Sequence, residues 1–357
     1  ALLPYEKNLF DAAAAKHKRH LAHADLNAKI DRTLSALLHR LAPHMLAHAA
    51  HKVLEYLVRH FAVHRCCPQQ LARALLPYHG TRLFVRVAKL LRATATDPAE
   101  RSVRWLGPKL SVAPPPRRAI VALAARDAKL LDEVCALVDG HATANNFSTV
   151  VLLEVLAGKL ADERIVFAIA ARVQHGLRVG APLRQRRGAM LLASQLALRE
   201  PLAPTTSQAI VALVCGALRS TARVDEALAC LQCLIVLSRC HKSLESGLAW
   251  PPLFEFAAKD DELVDESEGG GSAERALAAA DAVPQWRVVI EALAQLADTH
   301  DVSLLLRPIF LQLSAVTGPS SDDASQALRH LPRRPLARAV GVALVSLEAE
   351  AEHAHAA

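Results

Sequence analysis

The sequence predicts an all-α chain organised as a HEAT/armadillo-like helical-repeat solenoid, and three observations carry that prediction. Apolar residues recur at intervals of three and four along nearly every segment, which is the period of one helix face. Of the residues, 52% are hydrophobic but only 4% are aromatic, so the apolar content rests on alanine and leucine, the best helix formers. In the middle of the chain equivalent helices return after roughly 40 residues, the spacing of HEAT or armadillo units. At 357 residues the chain exceeds what one compact helical core holds. A single amphipathic pair cannot bury its stripe alone, so neighbours must stack.

The elements follow in order. "DLNAKIDRTLSALLHRLAP" places Leu26, Ile30, Leu34, Leu37, Leu38 and Leu41 on one face, and Pro43 stops the run. "HMLAHAAHKVLEYLVRHFAVH" repeats the pattern through Leu46, Val53, Leu54, Leu57, Val58 and Phe61, so the two should form an antiparallel hairpin. The unit returns as "PQQLARALLPYH" with "TRLFVRVAKLLRA", and as "RRAIVALAARD" with "AKLLDEVCALVDG". Next, "FSTVVLLEVLAGKL" pairs with "ADERIVFAIAARVQHGLR", and "PLRQRRGAMLLASQLALRE" with "PTTSQAIVALVCGALRS". "VDEALACLQCLIVLSRC", "PQWRVVIEALAQLADTH", "DVSLLLRPIFLQLSAV" and a last helix over about 335–351 complete the series. No alternating strand pattern interrupts them.

Two stretches break the helical period. Residues 97–118 are proline-rich and cannot continue a helix. Residues 259–275, "KDDELVDESEGGGSAER", are acidic and then glycine-rich, the composition of a flexible surface loop. The expected organisation is therefore a repeat solenoid over 1–258, the loop over 259–275, and further HEAT-like helices over 276–357. The opening "ALLPYEKNLF" has no starting methionine and reads as an interior or trimmed piece of a longer protein.

Charge is unevenly distributed. Residues 1–120 hold 20 Lys and Arg against 7 Asp and Glu, and the remainder 22 against 28. The first third therefore presents a field that attracts phosphate backbones or acidic proteins. No window has the roughly 18 consecutive apolar residues a membrane span needs, so no membrane partner is expected. The seven cysteines lie mostly in apolar helical stretches, the setting of reduced, buried thiols.

Candidate chemistry is sparse. "CLQC", Cys230 and Cys233, has zinc half-site spacing, but both fall on a helix face already filled by Leu228, Leu231, Leu234 and Ile235, so core packing is the expected role. His44, His48 and His51 are spaced by four and three with Glu55 one turn on, which reads as a solvated face in a histidine-rich chain. There is no Gly-rich phosphate loop, no Gly-x-Ser-x-Gly elbow and no His-Glu-x-x-His, so no catalytic residue, metal ligand or cofactor is nominated. The basic runs remain: Lys16, Lys18 and Arg19; Arg82, Arg86, Lys89 and Arg92; and the shorter "RQRRGAM" and "LPRRPLAR". None has interleaved aromatics for base stacking, so any RNA contact would be to the backbone.

"KVLEYLVRHFAVH" followed by "LLPYHGTRLFVRVAKLL" carries a resemblance. Lys52 to Leu57, His64, Pro77 to His79, Thr81 and Phe84 to Val87 closely resemble the N-terminal region of the large HEAT-repeat protein of the small-subunit processome. That family is the tenth of the U-three small nucleolar RNA-associated proteins. The likeness is strongest over 45–92 and extends more weakly over 8–220, through "APPPRRAIVALAARDAKLLDEVC" and "RGAMLLASQLAL". Gly80 departs from it, since the family usually has glutamate there; a left-handed turn would be a local reason for glycine.

The resemblance implies a non-catalytic nucleolar scaffold of ribosome biogenesis within the UtpA complex. It further implies β-propeller and helical UtpA subunits as partners, and contact with the 5′ external transcribed spacer of pre-rRNA and with the U-three small nucleolar RNA. It implies a role in rRNA transcription and in processing towards the small-subunit rRNA. The competing reading is a karyopherin-like or generic HEAT-repeat adaptor for protein cargo. Such transport receptors tend to be acidic, and the first 120 residues run the other way. Lys16, Lys18, Arg19, Arg82, Arg86, Lys89 and Arg92 are nominated, on charge alone, as contacts for RNA backbone or an acidic partner.

Overall fold

The computed structural model describes residues 3–11, 19–94, 103–158, 162–178, 180–199 and 202–240, with short stretches between 288 and 305. The acidic and glycine-rich loop, the "LPRRPLAR" run and the expected last helix lie outside the described residues. Among those described there is no β-strand, and no helix is long and apolar enough to cross a membrane. The architecture is all-α and of the helical-repeat solenoid class. The chain divides into two units, Ala1–Arg172 and Val173–Ala357.

In the first unit, α1 (Ala24–Leu41) buries Leu34, Leu37, Leu38 and Leu41, the stripe its periodicity predicts. Pro43 does not leave an open loop but tightens the chain into a 3-10 turn, Ala42–His44. As a result α2 begins only at His48 and runs to Phe61, later than the sequence suggests. Ala62, the only non-glycine residue at positive φ among those described, takes φ 50° and ψ 42° and ends it. A short helix α3 (Val63–Cys66) and α4 (Pro68–Leu75) follow, and a 3-10 turn, Leu76–Tyr78, leads into α5 (Arg82–Thr94).

Residues 103–116 are irregular as the prolines require, yet Val103, Trp105, Leu106 and Leu110 are buried. Their 3-10 turn Pro108–Ser111 packs on α5. Pro116, extended at ψ 150°, is the N-cap position of α6 (Arg117–Ala124). Asp127 caps α7 (Ala128–Ala136), its Oδ1 accepting from the backbone N–H of Lys129 at 2.9 Å and Leu130 at 3.1 Å, a contact worth about 1 kcal/mol. Helix α8 (Ala142–Ala157) runs back along α7. Asn145 donates to the Val138 carbonyl at 2.8 Å and Ser148 to the Val134 carbonyl at 2.6 Å.

The sequence pairs consecutive helices, but the closest packing of α1 is with α4, and α6 packs closely on α8. Stacking of corresponding helices, rather than the hairpin alone, builds the core. The second unit shows the rule most clearly in α10 (Leu183–Arg199), α11 (Pro204–Ser220) and α12 (Val224–Cys240). Helix α10 packs chiefly on α12. Arg186 meets Glu226, Met190 Sδ lies 3.9 Å from Cys230 Sγ, and Ser194 hydrogen-bonds Cys233, so the two helices are parallel and one repeat apart.

Small buried residues, Gly188, Ala189, Ala193 and Ala197 on one side and Ala227 on the other, permit that approach. Gly176, the last residue of α9 (Glu163–Gly176), is required for the same reason: a Cβ there would stand 2.7 Å from that of Ala189.

All seven cysteines are free thiols. Cys230 and Cys233 are buried in the α10–α12 contact, as core packing predicts. Burial pushes Cys233 up to about 11 and Cys215 up to about 12, so both stay protonated and unreactive. The three histidines do not share a helix. His44 sits in the 3-10 turn, and His51 donates from Nε2 to the Met45 carbonyl at 2.7 Å.

Candidate nucleic-acid interface

Helix α5 forms because a cap and an anchor fix its start. Thr81 Oγ1 accepts from the Phe84 N–H at 3.2 Å and donates to the Tyr78 carbonyl at 2.8 Å, so it satisfies one of the helix's open donors. Tyr78, in turn, donates its hydroxyl to the Ala42 carbonyl at 2.8 Å and lies nearly parallel to the His141 ring, 6.3 Å away. The His79 ring packs against Phe147 at 5.2 Å. The "PYHGT" segment thus ties three helical layers of the first unit together. Gly80 is not in the left-handed region, and a Cβ there would meet open space. A left-handed turn therefore does not explain this glycine, and the backbone there has room for a Cβ.

Phe84, Val85, Val87, Ala88 and Leu91 are buried, and the opposite face carries Arg82, Arg86, Lys89 and Arg92, all exposed. Spaced four, three and three apart, these cations follow one stripe, about 15 Å long at the helical rise. Arg92 donates from Nη1 to Ser111 Oγ at 2.9 Å, which seats it against the buried 103–111 segment. No ion pair among the described residues involves Arg82, Arg86 or Lys89. Exposed Arg65 and Arg104 lie on the elements packed next to α5, on the short α3 and the segment after it. The stripe is a row of exposed cations along one helix face, suited to neutralising successive phosphates rather than to reading bases.

The other nominated residues are placed differently. Arg19 makes a two-point ion pair with Asp31, at 2.7 and 2.8 Å, and its guanidinium is held further protonated by that hydrogen bonding. Its charge is therefore already matched within the fold. Lys16 and Lys18 lie outside the described residues. In "RQRRGAM", Arg186 pairs with Glu226 and Arg187 with Asp225, so two of its three arginines are matched within the fold, while Arg184 is exposed. A constellation the sequence reading missed brings Asp31, Cys66 and Cys67 together. The only clue to it was the adjacency of the two cysteines, because Asp31 comes from one helical repeat earlier.

No family model matches the chain. It is 31% identical over 210 residues to an uncharacterized protein of Arabidopsis thaliana, covering 56% of this chain and 9% of that protein. Human HEAT repeat-containing protein 1 is 32% identical over 135 residues, 38% of this chain and 6% of its own length. U3 small nucleolar RNA-associated protein 10 of Yarrowia lipolytica is 32% identical over 87 residues, 24% of this chain and 5% of its own length. The chain therefore spans a small part of each of these relatives. Sequence, helical-repeat fold and these matches agree: the chain is similar to proteins named HEAT repeat-containing protein 1 and to proteins named U3 small nucleolar RNA-associated protein 10.

Proposed function

We propose that the chain is part of a non-catalytic scaffold of the small-subunit processome, within the UtpA complex and the U3 ribonucleoprotein. In this reading it acts in the nucleolus and supports rRNA transcription and processing towards the small-subunit rRNA. Its helical surfaces hold β-propeller and helical UtpA subunits, and the α5 stripe rests on the phosphate backbone of the pre-rRNA 5′ external transcribed spacer. The single observation that carries the reading is the match to proteins named for association with the U3 small nucleolar RNA. The exposed stripe of Arg82, Arg86, Lys89 and Arg92 supports the RNA contact, since it is basic and on the outer face of its helix.

Affinity purification of the tagged chain from nucleolar extract, with identification of bound protein and RNA, tests this. Recovery of processome proteins with U3 RNA is expected, and Arg82→Glu/Lys89→Glu should reduce the RNA recovered while leaving far-UV circular dichroism unchanged. Recovery of import or export factors without processome components would favour the adaptor reading instead.

A further inference from the structure

Three potential ligand atoms converge where the chain leaves α2. The left-handed Ala62 turns the backbone, α3 ends at Cys66, and Cys67 at φ −132°, ψ 50° separates α3 from α4. Both thiols are thereby set over α1. Cys66 Sγ, Cys67 Sγ and a carboxylate oxygen of Asp31 all lie within 4.8 Å of one another, and Cys67 is buried. A non-glycine residue in the left-handed region costs about 1 kcal/mol, and strain of this kind concentrates at ligand sites.

We propose that Cys66, Cys67 and Asp31 bind a zinc ion, with Arg19 holding the Asp31 carboxylate in place and Ser35 beside the fourth position. The donor set, two sulfurs and one oxygen, suits a borderline-soft divalent cation that accepts tetrahedral coordination. Charges balance: two thiolates and one carboxylate carry three negative charges, and the zinc ion and Arg19 carry three positive ones. Arg19 hydrogen-bonds both Asp31 oxygens, yet each keeps a lone pair for the metal. Such outer partners orient ligating carboxylates in metal sites. Ser35 Oγ donates towards Cys67 Sγ at 3.7 Å, so a hydroxyl already faces the sulfur.

Binding releases both thiol protons to solvent.

The test is cobalt(II) titration of the reduced 357-residue chain, read by thiolate-to-cobalt charge-transfer absorption. One equivalent should develop the band, with zinc displacing it. Cys66→Ser and Cys67→Ser should each abolish it, Asp31→Asn should weaken cobalt binding at least about tenfold, and Cys230→Ser should leave it intact. Absence of the band at one equivalent in the unsubstituted chain, or its survival in the Cys66→Ser/Cys67→Ser variant, overturns the proposal. Independent of folding in any variant, stoichiometric zinc should protect the half-buried Cys66 from alkylation in the unsubstituted chain. Unchanged alkylation would count equally against the site.

Discussion

Arg186 and Glu226 belong to different repeats, and Arg186 Nε lies 2.7 Å from Glu226 Oε1 with 14% and 3% of the respective side chains exposed. Thr221 donates its hydroxyl to the other Glu226 oxygen at 2.8 Å. The pair locks α10 to α12 in register, and Arg187 with Asp225 continues it at the surface. Removing one partner leaves a buried charge unmatched, so Glu226→Ala should cost about 3 kcal/mol. Arg186→Met/Glu226→Leu should recover most of that loss, measured by urea unfolding.

Thr81 is the second local control. Thr81→Ala removes the cap of α5 and should cost about 1 kcal/mol. Gly80→Glu should change stability by no more than about 0.5 kcal/mol, since the added Cβ meets open space. Thermal melts of the two variants, compared in one buffer, separate these outcomes.

Ala62 predicts the opposite sign. Ala62→Gly keeps the turn while relieving its left-handed strain, and should stabilise the first unit by about 0.5–1 kcal/mol. A stabilised urea midpoint with unchanged helicity is the expected result.

Protonation should destabilise the "PYHGT" junction. Burial lowers His79 below its ordinary value of 6.5, helped by Arg117; burial also lowers His64, beside Arg65, and His141, near His39 and His44. Each therefore binds a proton more readily in the unfolded chain. Their stabilising contribution is complete above pH about 6.5 and declines as pH falls through that value. The urea midpoint should drop between pH 7.5 and 5.5, and His79→Gln should make that drop smaller.

Much of this architecture was legible from spacing. The roughly 40-residue return read from the sequence reappears as the Arg186–Glu226 and Met190–Cys230 contacts between α10 and α12. The burial of Cys230 and Cys233 followed from the leucines sharing their face. What spacing could not show was which helix each face meets. "RQRRGAM" looked like any basic run, because its acidic partners stand one repeat downstream, and Asp31 sits a repeat upstream of Cys66 and Cys67. The His44, His48 and His51 series was misplaced because a proline turn, not a helix, precedes His48. Pairwise contacts between repeats carry these features, and a one-dimensional period does not encode them.

The proposed RNA contact of α5 runs through phosphates. Its most direct test is the salt dependence of binding between the chain and a 5′ external transcribed spacer fragment, for the unsubstituted protein and for Arg82→Gln/Arg86→Gln/Lys89→Gln. Each phosphate contact on a single strand contributes about −0.7 to the slope of log K against log salt. The triple variant should show a slope at least about 2 units shallower, with unchanged helicity. A slope below one phosphate equivalent in the unsubstituted chain, or equal slopes in the two proteins, would contradict it.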